Sequence, residues 1–142
     1  MESSNTTFNE FSKTNRTRCE AVTGFNHGLH EWSLSDWFVA ICGELGEAAN
    51  IVKKLNRIRD GIPGNDETEE ELLIQLRNEM ADTYIYLDLT AQSLGFQLGD
   101  AILEVFDAKS KKIGYRWEAA INQPPYPTSD DQANSPEAGE TS

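Results

Sequence analysis

Two short pairs of carboxylates, Glu44-Leu45-Gly46-Glu47 and Glu79-Met80-Ala81-Asp82, lie inside stretches of otherwise apolar, helix-forming residues. A spacing of three residues separates side chains by roughly 60° around an α-helix, so each pair shares a face. If the two helices pack antiparallel with those faces inward, four negative charges converge. Such convergence costs several kcal/mol per desolvated ion unless a cation offsets it. Oxygen-only donors suit a hard cation, Mg²⁺ first and Mn²⁺ as a substitute. The implied chemistry is a metal site that handles a polyphosphate. A lone acid pair at this spacing is ordinarily a solvated helix face. Here Ile41, Leu45 and Ala48 flank the first pair, while Leu76, Met80 and Ile85 flank the second. Two such pairs on successive helices are hard to read as surface decoration.

The elements that must position these acids are helical almost throughout. A first amphipathic segment covers about residues 6–23 and stops near Gly24, and residues 24–32, with both histidines, read as a loop. Ser33 or Ser35 caps a second helix, whose apolar stripe is Trp37, Ile41, Leu45, Ala48, Val52 and Leu55. That helix ends near Arg59, because Asp60-Gly61-Ile62-Pro63-Gly64-Asn65 is dense in breakers. Thr68 caps a third helix over about residues 69–94, with Glu71 completing a capping box. Its apolar positions are Leu72, Leu76, Met80, Tyr84, Leu87 and Ala91, and Gly95 closes it. A fourth helix covers about residues 98–113, joined by so short a turn that the third and fourth should be antiparallel neighbours. Strand signals are absent. The expected fold is all-α, a four-helix bundle completed by oligomerisation.

Twenty-four acids against twelve lysines and arginines give a net charge of −12. No basic surplus exists to neutralise a phosphate backbone, so a nucleic-acid polymer is not an expected partner. Cys19 and Cys42 make no disulfide framework, which fits a reducing, cytoplasmic setting. The N-terminal residues have neither the basic nor the apolar run of a signal peptide, and no apolar stretch reaches the length of a membrane span. Residues 123–142 hold four of the five prolines, four acids and no base. They read as a solvated acidic tail behind one domain of residues 1–122.

Several segments resemble the all-α nucleoside triphosphate pyrophosphohydrolases, the MazG-like group that includes helical dCTP and dUTP hydrolases. The pattern there is an E-x-x-E pair, commonly preceded by another Glu, and later an E-x-x-D pair. This chain has Gly43-Glu44-Leu45-Gly46-Glu47 and Asn78-Glu79-Met80-Ala81-Asp82, with Gly43 where the extra Glu often stands. Ser33-Leu34-Ser35-Asp36-Trp37, Ile51-Val52-Lys53-Lys54-Leu55 and Thr83-Tyr84-Ile85-Tyr86 are also similar to the family, and the likeness covers about residues 15–115. It implies Mg²⁺-dependent hydrolysis of (deoxy)nucleoside triphosphates between the α- and β-phosphates, giving a monophosphate and pyrophosphate. It implies Glu44, Glu47, Glu79 and Asp82 as metal ligands, and a homodimer or homotetramer. Which acid orients or deprotonates the attacking water stays open, with Glu47 and Glu79 as the catalytic candidates and Glu47 the first choice.

Phosphates also need cations and a base needs a π face. Lys54 lies two helical turns beyond Glu47 and can reach the same cleft, although a snorkelling surface lysine would have the same spacing. The family often carries an Asn and then a basic residue late in the fourth helix. Asp107 and Lys112 stand in those places here, with Lys109 and Lys111 as competitors for the phosphate role. Trp32, Trp37 and Tyr86 are the base-pocket candidates; Tyr86 resembles the family's base-contacting tyrosine, and Trp37 reads equally well as core. The loop histidines His27 and His30 could close over a ligand, but no partner at metal-binding spacing accompanies them. The same fold could instead act on phosphoribosyl-ATP or (p)ppGpp, or serve as a non-catalytic, metal-binding interaction module.

Overall fold

The structure is a computed structural model, and it describes residues 6–115. Among the described residues there are four helices and no strand: α1 (Phe8–Glu20), α2 (Leu34–Arg59), α3 (Glu69–Ser93) and α4 (Leu98–Lys112). The all-α expectation holds. The chain divides into two units between Ile102 and Leu103, so the boundary falls inside α4. The acidic tail lies outside the described residues.

Three helices start on the same local device. Thr7, Ser33 and Thr68 each accept a hydrogen bond from the backbone N–H three residues on, and the acid there (Glu10, Asp36 or Glu71) accepts from the cap's own N–H. These boxes satisfy donors that a helix start leaves orphaned, and the acid favours the positive end of the helix dipole. Ser33, not Ser35, is therefore the cap of α2, and α1 begins at Phe8 rather than Thr6. Gly95, at φ +84°, ends α3 in the left-handed region that glycine enters without a Cβ penalty.

Helices α2 and α3 pack along their length as an antiparallel hairpin. Trp37 meets Tyr86 near one end, Glu44 meets Glu79 midway, and Lys54 pairs with Glu67 at the loop end. The inward seam of α2 runs Trp37, Ile41, Glu44, Ala48, Ile51 and Leu55. Two residues of the expected stripe are outside it: Leu45 is 51% exposed and Val52 is 41% exposed. On α3 the seam runs Leu72, Leu76, Glu79, Thr83, Tyr86 and Thr90, while Met80, 64% exposed, and Leu87 face solvent. Both helices are apolar on two faces, and periodicity alone picked a stripe between them. The core cluster beneath the site is Cys19, Leu29, Trp37 and Leu89, with Trp32, Ile85 and Tyr86 packed on it. Helix α1 lies against α3 through Phe8 and Phe11 on Tyr84 and through a buried polar cluster around Asp88.

Candidate metal centre and ring face

Glu44 occupies a seam position of α2 and Glu79 a seam position of α3, so the hairpin drives their carboxyls together. Asp82, one turn on from Glu79, completes a group of three whose ligand oxygens all lie within 4.8 Å of one another. Opposite ligands around Mg²⁺ at its usual bond length are about 4.2 Å apart, so this donor set fits such an ion with small side-chain adjustments. Partial burial pushes the Glu44 carboxyl above its ordinary range; a shared hydrogen bond with Glu79 and repulsion from Asp82, Glu79 and Glu47 add to the shift. A proton on Glu44 or a cation among the three relieves the same strain.

The structure thus brings together three of the four expected ligands. Glu47 is exposed and lies outside the group, though close enough for its charge to act on Glu44. Ala48, not Glu47, holds the next seam position of α2, whereas Asp82, although exposed, keeps a carboxylate oxygen with those of Glu44 and Glu79.

Tyr86 follows Asp82 by one turn and sits half-buried on the same stretch of α3. Burial raises the pKa of its hydroxyl, and the negative charges of Glu44 and Asp82 raise it further. The ring therefore adjoins the carboxylates. It also belongs to an aromatic face in which four rings have nearly one orientation. Phe25 and Trp32 lie 6.4 and 6.5 Å from Tyr86 with planes within 7° and 12°. His27 stacks on Trp32 at 4.7 Å and 13°. The Gly28 carbonyl lies 3.2 Å from His27 Nδ1 and can accept a hydrogen bond from it. Trp37, a base-pocket candidate from sequence, is 0% exposed. It donates from its indole to Leu29 O (3.3 Å) and backs Trp32 and His27 from the core. Trp32 and Tyr86 remain accessible; His30 is exposed and apart from this stacking.

Of the expected phosphate-binding cations, Lys54 has an acidic partner within its own unit. Lys54 is paired with Glu67, whose carboxyl is held below its ordinary range first of all by that hydrogen bond. Asn65 donates to the Lys54 carbonyl (2.8 Å), so Lys54 holds the later part of the α2–α3 loop through both its backbone and its side chain. Lys112 is exposed in the last turn of α4 and belongs to the second compact unit. Asp107, in that same unit, pairs with Lys111 at 2.6 Å.

Residues that periodicity passed over are Phe25, Arg18, Asn15 and Asp88. Only Asp88 carried a signal, as one acid within the apolar run Tyr84-Ile85-Tyr86-Leu87-Asp88-Leu89. Comparison with family models, curated proteins and solved structures finds no match to this chain.

Proposed function

We propose that this chain is a Mg²⁺-dependent nucleotide pyrophosphohydrolase of the MazG-like kind. It would cleave (deoxy)nucleoside triphosphates to a monophosphate and pyrophosphate, in cleansing or adjusting a cytoplasmic nucleotide pool. One observation carries this: a hard-cation donor set, Glu44, Glu79 and Asp82, adjoins a ring face through Tyr86. A polyphosphate needs the first and a nucleobase the second.

In this reading Glu44, Glu79 and Asp82 hold the cation. Bound Mg²⁺ would neutralise phosphate oxygens and make a water more acidic. Glu47, close by but outside the ligand group, is free to accept a proton from the attacking water. Tyr86, Trp32, His27 and Phe25 supply the rings on which a base would stack. Lys54 would join the phosphates only by leaving Glu67.

Association into a homodimer or homotetramer belongs to the same proposal. Phe38, Leu45 and Val52 on α2, and Leu73, Met80 and Leu87 on α3 with Leu94 at its C-cap, are all exposed. Their seven-residue spacing lines each set up along one helix face, which suits a second helical surface.

Chromatography of an early time point with Mg²⁺ and a panel of dNTPs and NTPs tests the function. The expected products are the monophosphate and pyrophosphate, with no diphosphate intermediate. Diphosphate plus orthophosphate would defeat the pyrophosphohydrolase reading. No turnover of any nucleotide, phosphoribosyl-ATP and ppGpp included, would leave a non-catalytic metal-binding module.

A further inference from the structure

A chain of hydrogen bonds runs from a buried acid on α3 to the ring face, through residues that the metal chemistry does not use. Asp88 is 1% exposed, and among the described residues it makes no ion pair. Its carboxylate accepts instead from three neutral donors. Ser12 Oγ donates to Oδ1 at 2.7 Å, and Asn15 Nδ2 and Gln92 Nε2 each donate to Oδ2 at 2.9 Å. Gln92 also donates to Ser12 O and Asn15 to Ile85 O, both at 3.0 Å. Apolar residues could dock α1 on α3 without the cost of burying a charge.

The charge has a counterpart one residue away. Asn15 Oδ1 accepts from Arg18 Nη2 at 3.4 Å, so one amide stands between a carboxylate and a guanidinium. Its dipole is aligned by both, and each hydrogen bond strengthens the other. Arg18 in turn commands Phe25. Its Cζ lies 4.9 Å from the centroid of that ring, a cation–π contact, and its carbonyl accepts from the Phe25 N–H at 3.3 Å. The turn that carries Phe25 and His27 folds back on the end of α1: Asn26 N–H donates to Ala21 O and His27 N–H to Cys19 O, both at 3.2 Å. A Cβ on Gly24 would lie 1.8 Å from Arg18 O, so no other residue allows so close a return. At the end of the relay, Phe25 lies nearly parallel to Tyr86.

We propose that Asp88 and Asn15 are positioning residues for the ring face: acting through the Asn15 amide, Asp88 fixes the Arg18 guanidinium over Phe25 and so sets the Phe25 ring beside Tyr86 and against His27. The effect on nucleotides rests on the ring face being the base-binding surface; the positioning itself does not.

Three variants cut the relay at different points. In Asp88→Asn the amide oxygen can serve Asn15 and Gln92 while its NH₂ donates to Ser12 Oγ, so three hydrogen bonds can still form, the one to Ser12 with its direction reversed, and the charge is lost. Arg18→Met cuts the exposed end without touching the buried cluster, and Arg18→Lys restores a cation over Phe25. Amide hydrogen exchange gives a readout independent of turnover. For Asp88→Asn and Arg18→Met, exchange at Phe25, Asn26 and His27 should rise about tenfold relative to amides in the middle of α2. Arg18→Lys should recover most of that protection. Unchanged loop exchange, or an equal rise in α2, overturns the proposal, because the residues would then be inert or merely stabilising. With nucleotide as substrate, Arg18→Met should raise KM about tenfold and leave kcat within about twofold. Raised loop exchange with an unaltered KM would support the relay and count against the ring face as the base site. A wild-type protein that turns over no nucleotide would defeat the proposed function, while hydrogen exchange would still decide the relay.

Discussion

Replacing Glu44 with Gln should make the metal-free protein more stable while weakening its response to Mg²⁺. The three carboxylates of the group have ligand oxygens within 4.8 Å, and Glu44 is the one whose pKa the fold raises. At that spacing Coulomb's law in a water-like dielectric gives about 0.9 kcal/mol per pair of unit charges. Glu44 takes part in two such pairs, which makes about 2 kcal/mol, and the exposure of Asp82 reduces it to about 1 kcal/mol. For a unit of this size that corresponds to about 4–8 °C in Tm. The pH dependence has a definite sign. The folded state raises the Glu44 pKa, so stability is retained at acid pH and lost as pH rises through the raised value. Glu44→Gln should therefore exceed wild type in Tm at pH 8 with chelator, and the gap should close as pH falls toward the ordinary glutamate pKa of about 4.3. Adding Mg²⁺ at ten times its Kd should stabilise wild type by about 1.4 kcal/mol. The variant should respond less. Thermal unfolding by circular dichroism at pH 8 and pH 5, with chelator and with Mg²⁺, covers all four conditions. A variant no more stable than wild type at pH 8, or a gap that widens on acidification, would refute the convergence of charge at this site.

The other acids, the ring face and the apolar stripes each give a separate expectation. Glu79→Gln and Asp82→Asn should leave the apo protein folded and lower nucleotide turnover by about a hundredfold or more, as loss of a metal ligand or catalytic group does; near wild-type rates in either would break the assignment. Tyr86→Ala should change the ranking among bases by about 1–3 kcal/mol in kcat/KM, whereas a uniform loss across all nucleotides would make Tyr86 a packing residue. Light scattering at micromolar concentration should give the mass of a dimer or tetramer, and a monomeric mass would leave the exposed stripes of α2 and α3 without the occupant proposed for them.

Local physics wrote the helices and their ends into the sequence. A cap such as Thr68 with Glu71, or a stop such as Gly95, is decided by atoms within four residues, so these signals survive without any knowledge of the fold. The acid pairs were legible for the same reason, since a three-residue spacing fixes a shared face on any helix. Which acids converge was not. That depends on how α2 is rotated about its axis, and α2 has two apolar faces from which to choose. Burial of Trp37, Ile41 and Ile51 in place of Leu45 and Val52 decided the rotation, put Glu44 in the seam, and turned Glu47 outward. Lys54 was placed correctly on the helix, but its partner Glu67 comes from the loop, where no periodicity operates. Asp88 shows the limit most clearly. Its donors Ser12 and Asn15 stand more than seventy residues away, and only the docking of α1 on α3 brings them to one carboxylate.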